Sequence, residues 1–140
     1  MIEKFNKKDI DAVMQIWKKE NIKAHYFISK EYWENNYENV KKVLPDSEIY
    51  VYTNKNKIEG FIGINNNYIE GLFIDTNSQN KGIGTTLLNK VKREKKRLTL
   101  NVYKKNKKAI NFYKKNGFII IEEKFDENTN EKEYTMLWEI

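Results

Sequence analysis

Two glycines at a spacing of two, Gly82 and Gly84 in the string QNKGIG, carry the first chemistry legible in the chain. They stand between the strand-like run NYIEGLFID and the helix-like run TTLLNKVKREKK. At such a turn, missing side chains let backbone N–H groups approach a ligand, and the helix dipole favours an anion. Residues 79–84 therefore read as a phosphate cradle, with a tight turn or close helix packing as the competing reading. The dinucleotide fingerprint is a poor match. It needs three glycines early in a parallel β-α-β unit, whereas the strands before this turn read as an antiparallel meander. A P-loop is also excluded, because no Lys-Ser or Lys-Thr pair ends the string.

His25 is the only histidine and lies in the apolar segment NIKAHYFISK. An imidazole there serves as a base or an acceptor contact, or it packs with its hydrogen bond satisfied. With no cysteine and no second histidine, no metal site is expected. Glu70 is the only acidic residue within the strand that runs into the cradle, and alternation sets it on one face with Tyr68 and Leu72. It reads either as a base or as a solvent-facing strand carboxylate. Tyr26, Phe27, Tyr32 and Trp33 are candidates to wall a pocket, since aromatic rings suit apolar or cationic groups. Trp33 also falls on a helical stripe, which argues for the core.

These residues need elements to hold them. Residues 2–5 read as a short strand, and Asn6 with Asp9 resembles an N-cap before a helix carrying Ile10, Val13, Met14 and Trp17. Ser29 opens a second helix with Trp33, Tyr37, Val40 and Leu44 on one stripe, stopped by Pro45. EIYVYTN, KIEGFIGIN and NYIEGLFID form three consecutive antiparallel strands joined by asparagine-rich turns. Leu87, Leu88 and Val91 mark a helix after the cradle, and RLTLNVY returns to a period of two. A helix spans about Lys107–Lys115 and stops at Asn116-Gly117. FIIIEEKF and EYTMLWEI close the chain as strands, the last apolar enough to be central or to pair across a dimer. The order β-α-α-β-β-β-α-β-α-β-β predicts one mixed α/β (α+β) domain over residues 1–140, without repeat or linker.

Composition bounds the partners. The +6 net charge comes from 24 Lys and 2 Arg against 20 acidic residues, with lysines scattered among asparagines as on solvated faces. Nucleic-acid binding would more usually show clustered arginine, so none is expected, while a basic surface steers a small polyanion inward. No apolar leader or membrane-length run is visible, and the absence of cysteine suits a cytoplasmic setting.

The segment NKKAINFYKKNGF, residues 106–118, resembles the N-x-x-A-x-x-F-Y-x-x-x-G-F motif of the GCN5-related N-acetyltransferase (GNAT) family, and QNKGIG resembles its Q-x-x-G-x-G acetyl-CoA signature. Both occur in the family's order and separation, and the element order resembles the family fold over essentially the whole chain. Ala24, His25, Phe27, Ile28, Tyr32 and Trp33 are similar to an A-H-x-F-I-x-x-x-Y-W segment of a small bacterial branch.

The resemblance implies a mostly antiparallel sheet flanked by about four helices, with acetyl-CoA as cosubstrate and no metal. It implies direct transfer of the acetyl group to a primary amine, without a covalent enzyme intermediate. Backbone amides of Gln79, Asn80, Lys81, Gly82, Ile83, Gly84 and Thr85 would hold the pyrophosphate. Leu72 and Ile74 would lend main-chain groups to the pantetheine arm as another strand would. Asn106 would lie near the cofactor, or act only as an N-cap. Tyr113 would protonate the departing sulfur, or be a packed amphipathic tyrosine. His25, Phe27, Tyr32 and Tyr68 would border the acceptor site, with Glu70 or His25 as base. Some relatives carry a glutamate where this chain has Asn101, so one candidate base is missing. Neutralising a lysine amine at neutral pH costs about 4.6 kcal/mol, against about 1.4 for an α-amine, so a lysine acceptor needs more help. The rival functions are an acyl-CoA-binding or sensing module without catalysis and, further off, a nucleic-acid-binding domain. Oligomeric state, monomer or homodimer, stays open.

Overall fold

Val13, Met14, Ile16 and Trp17 recur at helical spacing and become the buried face of α1 (Ile10–Ala24) in the computed structural model, which describes residues 1–140. Asn6 and Asp9 do form a capping box, although it closes a short 3-10 turn at Lys7–Asp9 that leads into α1. Ser29 caps α2 (Lys30–Val43), and Pro45 falls in the 3-10 turn that ends it. The strands are β1 (Ile2–Lys4), β2 (Glu48–Asn54), β3 (Lys57–Asn65), β4 (Tyr68–Ile74), β5 (Arg97–Tyr103), β6 (Ile119–Asp126) and β7 (Glu131–Glu139). Helices α3 (Ile83–Lys92) and α4 (Lys107–Lys115) complete the expected order.

The seven strands form one sheet in the order β1-β2-β3-β4-β5-β7-β6, antiparallel throughout except for β4 and β5. One face packs against α3 and α4 through a core that includes Ile62, Ile69, Leu87, Leu88, Leu98 and Met136. The opposite face of β2 and β3 packs against α1 and α2 through Ile49, Val51, Phe61, Trp17 and Trp33. The final strand β7 is central, between β5 and β6, so β6 is the sheet edge. Ile119, Ile121 and Phe125 of β6 are exposed.

Two departures from regular pairing shape the centre. The β4–β5 pair contains a single opposed couple, Tyr68 and Thr99, after which the strands diverge and leave the far end of β4 paired only with β3. A bulge at Glu70 lets Ile64 face Ile69 while Gly63 faces Gly71. The extra residue reverses the alternation expected across β4. Ile69 joins Leu72 on the α3–α4 core, and Tyr68 points to the other face, beside Asn101. The expectation that Tyr68, Glu70 and Leu72 share a face is thereby corrected.

Candidate active site

The diverging strands open a cavity of about 810 Å³. Its walls include Leu72 and Ile74 of β4, the cradle turn, Asn106 and Tyr113 of the α4 segment, and His25 from the loop before α2. Thus Leu72, Ile74, Gln79, Asn80, Gly82, Ile83, Gly84, Thr85, Asn106, Tyr113 and His25 meet in one place, and Tyr26 lines its mouth. Lys81, Phe27, Tyr32, Tyr68 and Glu70 lie outside it.

The cradle is built by backbone geometry. None of the N–H groups of residues 80–85 donates to an acceptor inside the chain; the next, Thr86, makes the first return bond, to Gly82. Gly82 is left-handed at φ +80°, and a Cβ there would meet nothing within 4 Å. Gly84 is small for a different reason: a Cβ would lie 3.2 Å from the Phe112 ring. The two readings of the glycine pair therefore divide between its members. A row of unsatisfied donors at the N-terminus of α3 fits a pyrophosphate.

Along β4, Asp75 N–H donates to Glu59, so alternation turns Phe73 and Gly71 toward β3 and leaves the main-chain groups of Leu72 and Ile74 facing the cavity side. Gln79 faces inward and braces the turn. Its Nε2 donates to the Ile74 carbonyl at 2.9 Å and to Glu20 Oε1 at 3.0 Å, while Lys108 Nζ donates to its Oε1 at 3.2 Å. Glu20, buried on α1, also accepts from Thr76 N–H at 3.0 Å and Thr76 Oγ1 at 2.7 Å. Asp75 pairs with Lys19 Nζ at 2.7 Å, which holds its carboxyl below the usual range. Sequence reading missed both anchors. Glu20 left a usable signal, because it follows Val13 and Trp17 at helical spacing on an otherwise apolar stripe.

Tyr113 is buried, and its hydroxyl donates to no acceptor inside the chain. Burial raises its pKa above the ordinary phenol value, which keeps the proton on oxygen. Asn106 is the N-cap and lines the cavity as well: Oδ1 caps α4 by accepting from Ala109 N–H at 3.3 Å, while Nδ2 reaches His25 Nε2 at 3.3 Å, a contact not foreseen from the sequence. His25 is buried, with Trp33 stacked at 5.2 Å and Tyr103 edge-on at 5.2 Å. Desolvation lowers its pKa to about 4, so it is neutral at physiological pH. With Nε2 accepting from Asn106, Nδ1 carries the proton, and neither it nor Trp33 Nε1 has a partner inside the chain. Trp33 is core, as its stripe suggested.

On the other side of the divergence, the face of β5–β7 opposite α3 and α4 presents tyrosines and carboxylates. Tyr103 Oη donates to Asp126 at 2.8 Å. With the Asn101 amide oriented to satisfy both ends, Nδ2 donates to Thr135 Oγ1 at 2.8 Å, and Oδ1 accepts from Lys124 Nζ at 3.1 Å and Tyr68 Oη at 3.2 Å. Phe27 packs edge-on to Tyr103 at 5.8 Å, and Tyr32 edge-on to Trp33 at 4.9 Å. Glu70 projects from its bulge into solvent and accepts from Ser47 Oγ.

The profile of the acetyltransferase (GNAT) domain matches residues 6–131. Peptidyl-lysine N-acetyltransferase YiaC of Escherichia coli K12 is 28% identical over 142 residues, covering 100% of this chain and 97% of that protein. Peptidyl-lysine N-acetyltransferase YjaB of the same organism is 30% identical, covering 77% of this chain and 74% of its own. The solution structure of apo YjaB superposes with a TM-score of 0.87 at 25% identity over 99% of this chain and 96% of that one. An acetyltransferase from Bacillus anthracis solved in complex with acetyl coenzyme A gives a TM-score of 0.62 at 26% identity, over 67% and 62% of the two chains.

Proposed function

The chain belongs to the GNAT acetyltransferase family, and on that premise we propose that it acetylates the side-chain amine of lysine in a peptide or protein. It is an acetyltransferase, and acetyl-CoA supplies the acetyl group as an activated thioester. The same reading takes residues 1–140 as one catalytic domain. The observation that carries it is the meeting, in one cavity, of the unsatisfied N–H row and the Tyr113 hydroxyl.

Each residue then has a task that follows from its surroundings. The N–H groups of residues 80–85 bind the pyrophosphate, with the basic rim of Lys23, Lys105, Lys107 and Lys108 adding a field that favours anions. Leu72 and Ile74 hold an extended ligand along the free edge of β4. Tyr113 holds a proton that its pocket keeps in place, and donates it to the leaving sulfur. His25, neutral and tied to Asn106, positions the start of α4 rather than serving as base. Tyr68, Tyr32 and Phe27 flank the acceptor, and an aromatic face of this kind suits a long aliphatic amine. Support for lysine comes from the two peptidyl-lysine acetyltransferases that the chain resembles.

Thiol release from acetyl-CoA, measured against lysine peptides, α-amino peptides and polyamines, tests the assignment. Lysine peptides are expected to be the best acceptors. Tyr113→Phe is expected to lower turnover by about 10²-fold or more while leaving acetyl-CoA affinity unchanged. Equal turnover in the variant would remove Tyr113 from the acid role, and preference for α-amines would replace the acceptor class. Cofactor binding without release on any amine would favour the sensing module.

A further inference from the structure

The open face of β5–β7 carries one carboxylate that the tasks above leave unused. Glu133 stands on β7 directly opposite Tyr103 of β5 and Lys124 of β6, one row along from Asn101 and Thr135. Its side chain is only 16% exposed, yet no N–H or O–H of the protein donates to it. Its one ion-pair partner, Lys124, stays 4.0 Å away, beyond hydrogen-bond reach, and is shared with Asn101.

The other carboxylates of this region are committed. Glu20 is saturated by Thr76 and Gln79, Asp75 is paired with Lys19, and Asp126 accepts from Tyr103 and Thr129. Glu70 is solvated on its bulge. A half-dry carboxylate without donors has lost much of its water and gained nothing in return, so an arriving ammonium is a strong partner for it. The groups facing Glu133 are Tyr103 from β5, Lys124 and Asp126 from β6, Tyr68 from β4 and Tyr32 from α2. Burial first, then Asp126, raises its carboxyl above the usual range, while the shifted Asp75, Glu31 and Glu94 are all lowered by hydrogen-bond donors. Tyr68 carries the arrangement across to β4, where the two strands begin to part: its hydroxyl bonds Asn101, and its Cα partner on β5 is Thr99.

We propose that Glu133 receives the ammonium of the acceptor on this face and takes the proton that the amine must lose before it can attack. The proposal rests on the acetyl-transfer reading above and supplies the base that it lacks. One ammonium proton passes to the Glu133 carboxylate, leaving a neutral amine, and the carboxyl returns that proton to solvent after turnover. As the N–C bond forms and the C–S bond breaks, the nitrogen loses a second proton, which replaces the one Tyr113 gives to sulfur. The sum is an amide, a free thiol and one proton released.

Glu133→Gln keeps the shape and removes the base. With a lysine peptide, kcat/KM is expected to fall about 10²-fold or more at neutral pH. The deficit should shrink at alkaline pH, where solvent deprotonates the amine, and should be smaller for a thialysine peptide, whose amine is less basic. Calorimetric titration in the presence of CoA should show weaker binding of the lysine peptide but unchanged binding of its acetyl-lysine form. The melting temperature and acetyl-CoA affinity should match the parent protein. Equal kcat/KM, or a deficit that is the same at every pH and for both amines, would overturn the role. If the parent protein acetylates only other amines, the lysine reading fails, and the same pH comparison on that amine decides Glu133 separately.

Discussion

On one side of the β4–β5 divergence the groups proposed to bind are backbone N–H donors from six consecutive residues, whereas on the other they are side chains gathered from separate strands between Tyr68 and Thr135. The first side is rimmed by lysine and ends at a helix N-terminus; the second is lined by Tyr32, Tyr68, Tyr103, Asp126 and Glu133. On the proposed reading an anion and a cation are met from opposite sides of one gap, with Tyr113 on the cavity side. Main-chain recognition is local and tolerates side-chain change. Acceptor recognition depends on strand register, because one slipped residue turns every side chain to the wrong face.

The locality of the cradle has a limit, since the turn that presents it is anchored 56 residues away by Glu20. Glu20→Ala would strand the Thr76 N–H and hydroxyl and the Gln79 amide, at a cost of about 3 kcal/mol in stability. The variant should lose acetyl-CoA affinity while its affinity for a lysine peptide is retained. Thermal melting and calorimetry check both, and unchanged cofactor affinity in a folded variant would show the turn to be self-supporting.

A smaller effect separates the two glycines. Valine at position 82 must hold the left-handed conformation, at roughly 1–2 kcal/mol for an ordinary residue and more for a β-branched one. Acetyl-CoA affinity should fall by about tenfold or more, because the strain relaxes by turning the free N–H groups away. Gly84→Ala meets the Phe112 ring instead, so its loss should appear as a lower melting temperature with a smaller change in affinity. Equal effects on affinity from the two substitutions would erase the distinction.

The same contrast explains what could be read in advance. The cradle, the α4 motif and all eleven elements were legible because each is contiguous: glycine placement, helical spacing and caps such as Ser29 and Asn106 are properties of neighbours in the chain. Tyr113 was legible as part of such a run, and its burial accommodates both of its readings. The acceptor face was not. The bulge at Glu70 leaves no mark in YIEGLFI, yet it decides that Tyr68 faces Asn101 rather than the core. Glu133 reads as one more charge in EKEYTMLWEI until β7 is placed between β5 and β6. His25 was visible as a lone imidazole, but its hydrogen bond to Asn106, 81 positions along the chain, was not.

His25 joins the two sides and gives the smallest effect. Its imidazole packs between Trp33, Phe27 and Tyr103 on the acceptor side, and its Nε2 accepts from Asn106 at the head of the cofactor side. Because burial lowers its pKa from 6.5 to about 4, the unfolded chain takes up a proton before the folded one does. The stability due to neutral His25 is therefore complete above about pH 6.5 and drains away as pH falls toward 4. Between pH 7 and pH 5.5 the loss is about 1 kcal/mol. His25→Gln retains an acceptor for Asn106 and removes the titration, so melting temperature measured against pH should flatten over that interval. An unchanged slope would mean that His25 protonates in place, with Asn106 turning its amide oxygen to the new Nε2–H, and that the link between the two sides survives acid.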